Sequence, residues 1–103
     1  MEILDDEIHL WLQSARFVKA EPSMYDLYDK NKDVIYIGEN ENLQNQFAKY
    51  VDTNFENDTC KQKTTSYQRE FVENPKERKK QLLEYFKEKH RKIPICNDDN
   101  PEN

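Results

Sequence analysis

The sequence predicts an α+β fold, a small three-stranded antiparallel sheet flanked by helices, and three observations lead there. Residues 24–28 and 34–37 are short runs rich in aromatic and β-branched side chains, joined by the all-polar loop Asp29-Lys30-Asn31-Lys32-Asp33. A five-residue connection of that composition makes a hairpin, so the two strands are antiparallel. In a third run, Thr65, Tyr67, Arg69 and Phe71 alternate with Ser66, Gln68, Glu70 and Val72, the period of a strand with two mixed faces. Apolar residues recur at helical spacing before, between and after these runs.

At the start of the chain Leu4, Ile8, Trp11 or Leu12, and Ala15 stand three and four apart, behind the acids Asp5, Asp6 and Glu7. Acids in an opening turn suit the helix dipole, and the spacing predicts an amphipathic helix over residues 4–18. Pro22 disfavours helical geometry in the residue before it and opens the strand region. Gly38, the only glycine, stands where the second strand stops. It signals either a turn or a close approach that a Cβ would forbid. Asn40 or Asn42 then caps a helix carrying Leu43, Phe47, and Tyr50 or Val51 on one face. Residues 52–63 read as a loop. After the third strand, Asn74-Pro75-Lys76-Glu77 starts a helix strongly: Asn caps, Pro takes the first helical position, and Glu completes a capping box. That helix sets Leu82, Leu83, Phe86, and Lys89 or His90 on one side and ends before Pro94. The expected core contains Trp11, Leu43, Phe47, Leu83 and Phe86. Residues 1–97 form one domain, and the acidic residues 98–103 read as a disordered tail.

A chain of 103 residues has room for one small domain with a thin core. Charged residues make up 36% of it, which leans toward disorder, but six tyrosines, five phenylalanines and a tryptophan argue for packing. No apolar run approaches the roughly 20 residues that span a bilayer, and the first residues lack the basic region of a signal peptide, so a soluble, cytoplasmic protein is expected. Cys60 and Cys96 lack the spacing of a disulfide framework and read as two unpaired thiols in a reducing compartment. Zinc on Cys60, His90 and Cys96 is set aside, because structural zinc wants four ligands and at least one tightly spaced pair. His9 and His90 read as surface residues.

The net charge of −5 hides a polarity. Residues 1–60 carry −8, residues 61–92 carry +6 and residues 93–103 carry −3. The basic 61–92 segment suits nucleic-acid phosphates or an acidic protein partner, and it equally suits a solvated helix face. The acidic total is unhelpful to a protein that must approach a polyanion.

Residues at the joints carry more. Ser23-Met24-Tyr25 on the first strand, Tyr36-Ile37-Gly38 ending the second, Asn42-Leu43 opening a helix, Leu82-Leu83-Glu84 inside the later helix and Pro94-Ile95-Cys96-Asn97 after it resemble the GIY-YIG nuclease domain, over residues 22–97. The resemblance implies phosphodiester hydrolysis in DNA or RNA. It implies Tyr25 and Tyr36 as phenols that help activate water, Glu84 as a ligand of Mg²⁺, and Asn97 as a polar residue closing the site. A metal there supplies a Lewis acid and a bound hydroxide. The position of the family's arginine falls on Gln46, which is uncharged, and Ser23-Met24 stands in place of Gly-Ile. Losing a positioned cation in phosphoryl transfer costs on the order of 10²–10³ in rate. Lys49 on the same helix and Arg69 on the third strand are the candidates to replace it, although a lysine lacks the bidentate fork. Each residue also has a plainer reading: the tyrosines as strand aromatics in a thin core, Glu84 as an exposed, salt-bridged glutamate. Two functions therefore stand: a domain with a degenerate site that binds nucleic acid or protein, or a metal-dependent endonuclease.

Overall fold

A hairpin forms where the polar loop lies, because the loop is stabilised by its own first residue. The Asp29 carboxylate accepts from the amides of Asn31 and Asp33 at 2.9 and 3.0 Å, and Lys32 takes a left-handed conformation at φ 63°. The structure, a computed structural model, describes residues 8–97. Its elements are β1 (His9–Leu10), α1 (Trp11–Ser14), β2 (Ser23–Tyr28), β3 (Val34–Asn40), α2 (Leu43–Thr53), β4 (Ser66–Phe71) and α3 (Pro75–His90), with 3-10 turns at Ala15–Phe17, Phe55–Asn57, Lys61–Lys63 and Ile95–Asn97. The strands form one antiparallel sheet in the order β1-β4-β2-β3. Both expected helix caps are present: the Asn42 side chain accepts from the Asn45 amide and the Asn74 side chain from the Glu77 amide.

Alternation along β2 divides the core in two. Tyr25 and Leu27 point to one face, where α2 lays Leu43, Phe47 and Tyr50 against them together with Trp11, Phe55 and Tyr67. Met24 points to the other face, where it meets Ile37 and the α3 residues Leu82, Leu83 and Phe86. The first layer is an aromatic stack: the Trp11 ring lies 4.8 Å from Phe47, 4.9 Å from Phe55 and 5.8 Å from Tyr67. Such pairs contribute beyond their buried area.

The N-terminal helix expected over residues 4–18 is shorter than its periodicity suggested. Residues 4–7 lie outside the described residues. From His9 the backbone is extended and pairs with β4, His9 opposite Tyr67, and the Trp11 amide donates to the Thr65 carbonyl at 3.0 Å. Pairing along the edge of β4 satisfies backbone groups that a helix there would leave open. A single helical turn follows, with Trp11 and Ala15 buried and Leu12 and Phe17 left 96% and 82% exposed. The sheet thereby gains a fourth strand. The acidic tail at 98–103 also lies outside the described residues.

The cysteines are corrected as well. Cys60 and Cys96 form a disulfide with Cα atoms 5.6 Å apart, across a sequence separation of 36. Residues this far apart show no local pattern. They meet because the turn at Lys61–Lys63 and the turn at Ile95–Asn97 both pack near β3. No described helix is long and apolar enough to cross a membrane.

Candidate functional site

Register brings the two motif tyrosines to one face. Tyr25 pairs with Gly38 and Leu27 with Tyr36, so Tyr25, Gly38 and Tyr36 share the face that α2 covers, with the two phenol rings 6.1 Å apart. Gly38 has no positive φ; its absent side chain makes room. A Cβ there would lie 2.5 Å from the Tyr25 ring, 2.5 Å from the Tyr36 ring and 2.6 Å from the Tyr25 hydroxyl. The close-approach reading of this glycine holds, and the turn reading does not. Gly38→Ala is expected to destabilise by about 1–3 kcal/mol through overpacking and to perturb the environment of the Tyr25 ring, checked by thermal unfolding and near-UV circular dichroism.

A third tyrosine completes the cluster. Tyr50 of α2 is buried, and its hydroxyl lies 2.8 Å from that of Tyr25. The sequence reading had this residue only as part of the helix's apolar face. The spacing Leu43, Phe47, Tyr50 put it there, but nothing local says that its hydroxyl meets another phenol. Burial raises the Tyr25 phenol well above its ordinary range, and the neighbouring Tyr50 and Tyr36 add to this. Tyr36 is raised too, first by burial and then by Tyr50. Near neutral pH both phenols keep their protons and are hydrogen-bonding groups.

Gln46 reaches the same cluster. Its amide nitrogen donates to the Tyr25 hydroxyl at 3.4 Å, and its amide oxygen accepts from the Asn40 side chain at 3.1 Å. The position where the resemblance expects an arginine is thus filled by a neutral amide held on both sides. Asn97 works on the backbone: it accepts from the Ile37 amide at 2.8 Å and donates to the Ile37 carbonyl at 2.9 Å. This pair of bonds pins the residue between Tyr36 and Gly38 to the C-terminal turn.

Of the other expected residues, Glu84 and Lys49 lie away from the cluster, and Arg69 stands on the same sheet face as Tyr25. Glu84 is exposed, on the side of α3 turned away from Leu82 and Phe86. Lys49 is exposed and pairs with Glu56 at 2.9 Å. Arg69 stands opposite Tyr25 in register, its guanidinium 5.2 Å from the Phe71 ring centroid. Two lysines that sequence reasoning passed over also lie at the tyrosine cluster. Lys61 Nζ lies 4.0 Å from the Tyr36 ring centroid and 5.4 Å from that of Tyr50, and Lys79 Nζ lies 5.9 Å from Tyr36. Their only signal in the sequence was membership of the basic segment.

The residues present do not fit the divalent cation that the resemblance implies. Among the described residues no three His, Cys, Asp or Glu side chains cluster. The expected ligand Glu84 faces solvent, and a dication beside Tyr36 would meet two ammonium groups.

Sheet order, a helix on each face and a phenol cluster between β2, β3 and α2 define a small α+β domain. No protein-family model matches the sequence, and no curated protein matches it. Among solved structures, the GIY-YIG N-terminal endonuclease domain of UvrC from Thermotoga maritima, bound to its catalytic divalent cation magnesium, matches with a TM-score of 0.61 and 22% identity over 84% of this chain and 93% of that one. A cation-bound variant of that domain with one asparagine replaced by alanine matches with the same TM-score and 20% identity, over 84% of this chain and 92% of that one. The chain has the GIY-YIG fold.

Proposed function

We propose that this domain binds the phosphodiester backbone of DNA or RNA and hydrolyses it weakly or not at all. The observation that carries this reading is Gln46, a neutral amide engaged by Asn40 and Tyr25 where hydrolysis of this type wants a cation. Charge that gathers on the phosphate as a bond breaks is then not offset at that point. The fold and the partly exposed Tyr36 ring with Lys61 and Lys79 beside it support a surface that receives a phosphodiester, and the +6 segment over residues 61–92 supports nucleic acid as the partner in spite of the acidic total. The Cys60–Cys96 bond favours an oxidising compartment over the cytoplasm expected from the sequence.

With Mg²⁺ or Mn²⁺ the protein is expected to leave labelled single- and double-stranded DNA and RNA intact while binding them in a salt-dependent manner. Gln46→Arg is expected to tighten binding without producing cleavage, because Glu84 lies outside the cluster. Gel-based cleavage and fluorescence anisotropy check both. Metal-dependent cleavage by the unmodified protein, lost in a folded Glu84→Ala variant, would establish the endonuclease instead.

A further inference from the structure

We propose that Lys61 and Lys79, which converge on the Tyr36 ring from different elements, form a clamp for a backbone phosphate of a nucleic-acid strand. The proposal rests on the nucleic-acid-binding reading and names the residues that make the contact. Lys61 is on the turn that follows Cys60, and Lys79 is in the first half of α3. Neither belongs to the Tyr-Ile-Gly, Asn-Leu, Leu-Leu-Glu or Pro-x-x-Asn segments that carry the resemblance.

Like charges held near one aromatic ring are unfavourable unless something bridges them. The Lys61 side chain is only 14% exposed, so its position is set by packing and not by free rotation in solvent. Burial works against its charge, but Tyr50, Tyr36 and Asp58 together push it above its ordinary value, which keeps it charged. Lys79 is lowered, first by burial, with Glu39 opposing and Lys61 adding to the shift. The two ammonium groups are near enough for the Lys61 charge to act on Lys79. Asp58, 3.9 Å from Lys61, and Glu39 flank the pair. A phosphate entering beside Tyr36 gains both ammonium groups. A phenol that keeps its proton is available there as a donor to a phosphate oxygen. The disulfide fixes Cys60, the neighbour of Lys61, to Cys96, the neighbour of Asn97. The clamp is thus anchored to the residue that pins Ile37.

The test uses the full oxidised chain and a labelled 20-nucleotide single-stranded DNA, with anisotropy read across a salt series. Lys61→Gln and Lys79→Gln are each expected to weaken binding roughly tenfold and to reduce the slope of log K against log salt by about one. Lys61→Arg is expected to restore most of the loss, and Lys30→Gln, in the β2–β3 loop, to change nothing. Thermal unfolding of each variant separates lost contact from lost fold. In parallel, inorganic phosphate is titrated into the protein while the backbone amide resonances of Tyr36, Lys61 and Lys79 are followed. If DNA binds and neither lysine variant alters affinity or slope, the clamp is overturned while the binding reading stands. If phosphate moves those resonances and DNA does not bind, the lysines hold a free phosphate only, and both the nucleic-acid clamp and the binding reading are overturned. If neither ligand binds, both fall.

Discussion

Between about pH 5 and pH 9 the protein is expected to lose on the order of 4 kcal/mol of stability through one side chain, Asp26. Asp26 points from β2 to the face covered by α3. It is buried, and its Oδ1 has no hydrogen-bond partner. Burial raises its pKa from 3.8 to about 8, with the Arg78 guanidinium opposing. Arg78 is itself engaged by Glu70 of β4. In the unfolded chain Asp26 is ionised above about pH 4. Within the window from 3.8 to about 8 the folded state therefore holds a proton that the unfolded state has released. Stability falls as pH rises through that window and levels off above it. Denaturant unfolding near pH 5 and pH 9 measures the difference, and Asp26→Asn, neutral throughout, is expected to flatten it and to exceed the unmodified protein at the higher pH. Parallel pH profiles for the two proteins would show that Asp26 is solvated or paired in solution.

Reducing the disulfide, or replacing both cysteines with alanine, is expected to remove about 4 kcal/mol. A crosslink closing a loop of this length, 36 residues, restricts the unfolded chain by that amount in the chain-entropy account. For a domain of this size that is a large share of the total. The loss is read as a lower denaturant midpoint. The first native contact to loosen is expected to be the Asn97 brace, seen as faster hydrogen exchange at the Ile37 amide. Equal midpoints with and without reductant, together with two titratable thiols in the native protein, would overturn the pairing.

Both effects come from residues whose surroundings no short stretch of sequence describes, and the same division runs through the whole molecule. The hairpin was legible because Asp29 bonds within its own loop and because period-two alternation marks strands wherever they end up. The starts of α2 and α3 were legible because a cap is a contract between residues three apart, Asn42 with Asn45 and Asn74 with Glu77. Tyr25 and Tyr36 fall on one face once the register pairs Tyr25 with Gly38, because side-chain direction repeats every two residues. Gln46 could be noticed as the wrong residue for its motif.

Tertiary structure decided the rest. Helical spacing at the N-terminus yielded to the open edge of β4, which takes His9 and Leu10 as a strand. The two cysteines look unpaired until two turns pack near β3. Glu84 has the right neighbours in sequence and the wrong side of the helix in space, whereas Lys61 and Lys79 share no motif and meet at one ring. By itself the sequence determined the local elements, since their signals act over a reach of three or four residues along the chain. Which charges and phenols face one another depends on contacts between residues tens of positions apart, and only the packed sheet and its two helices supply those.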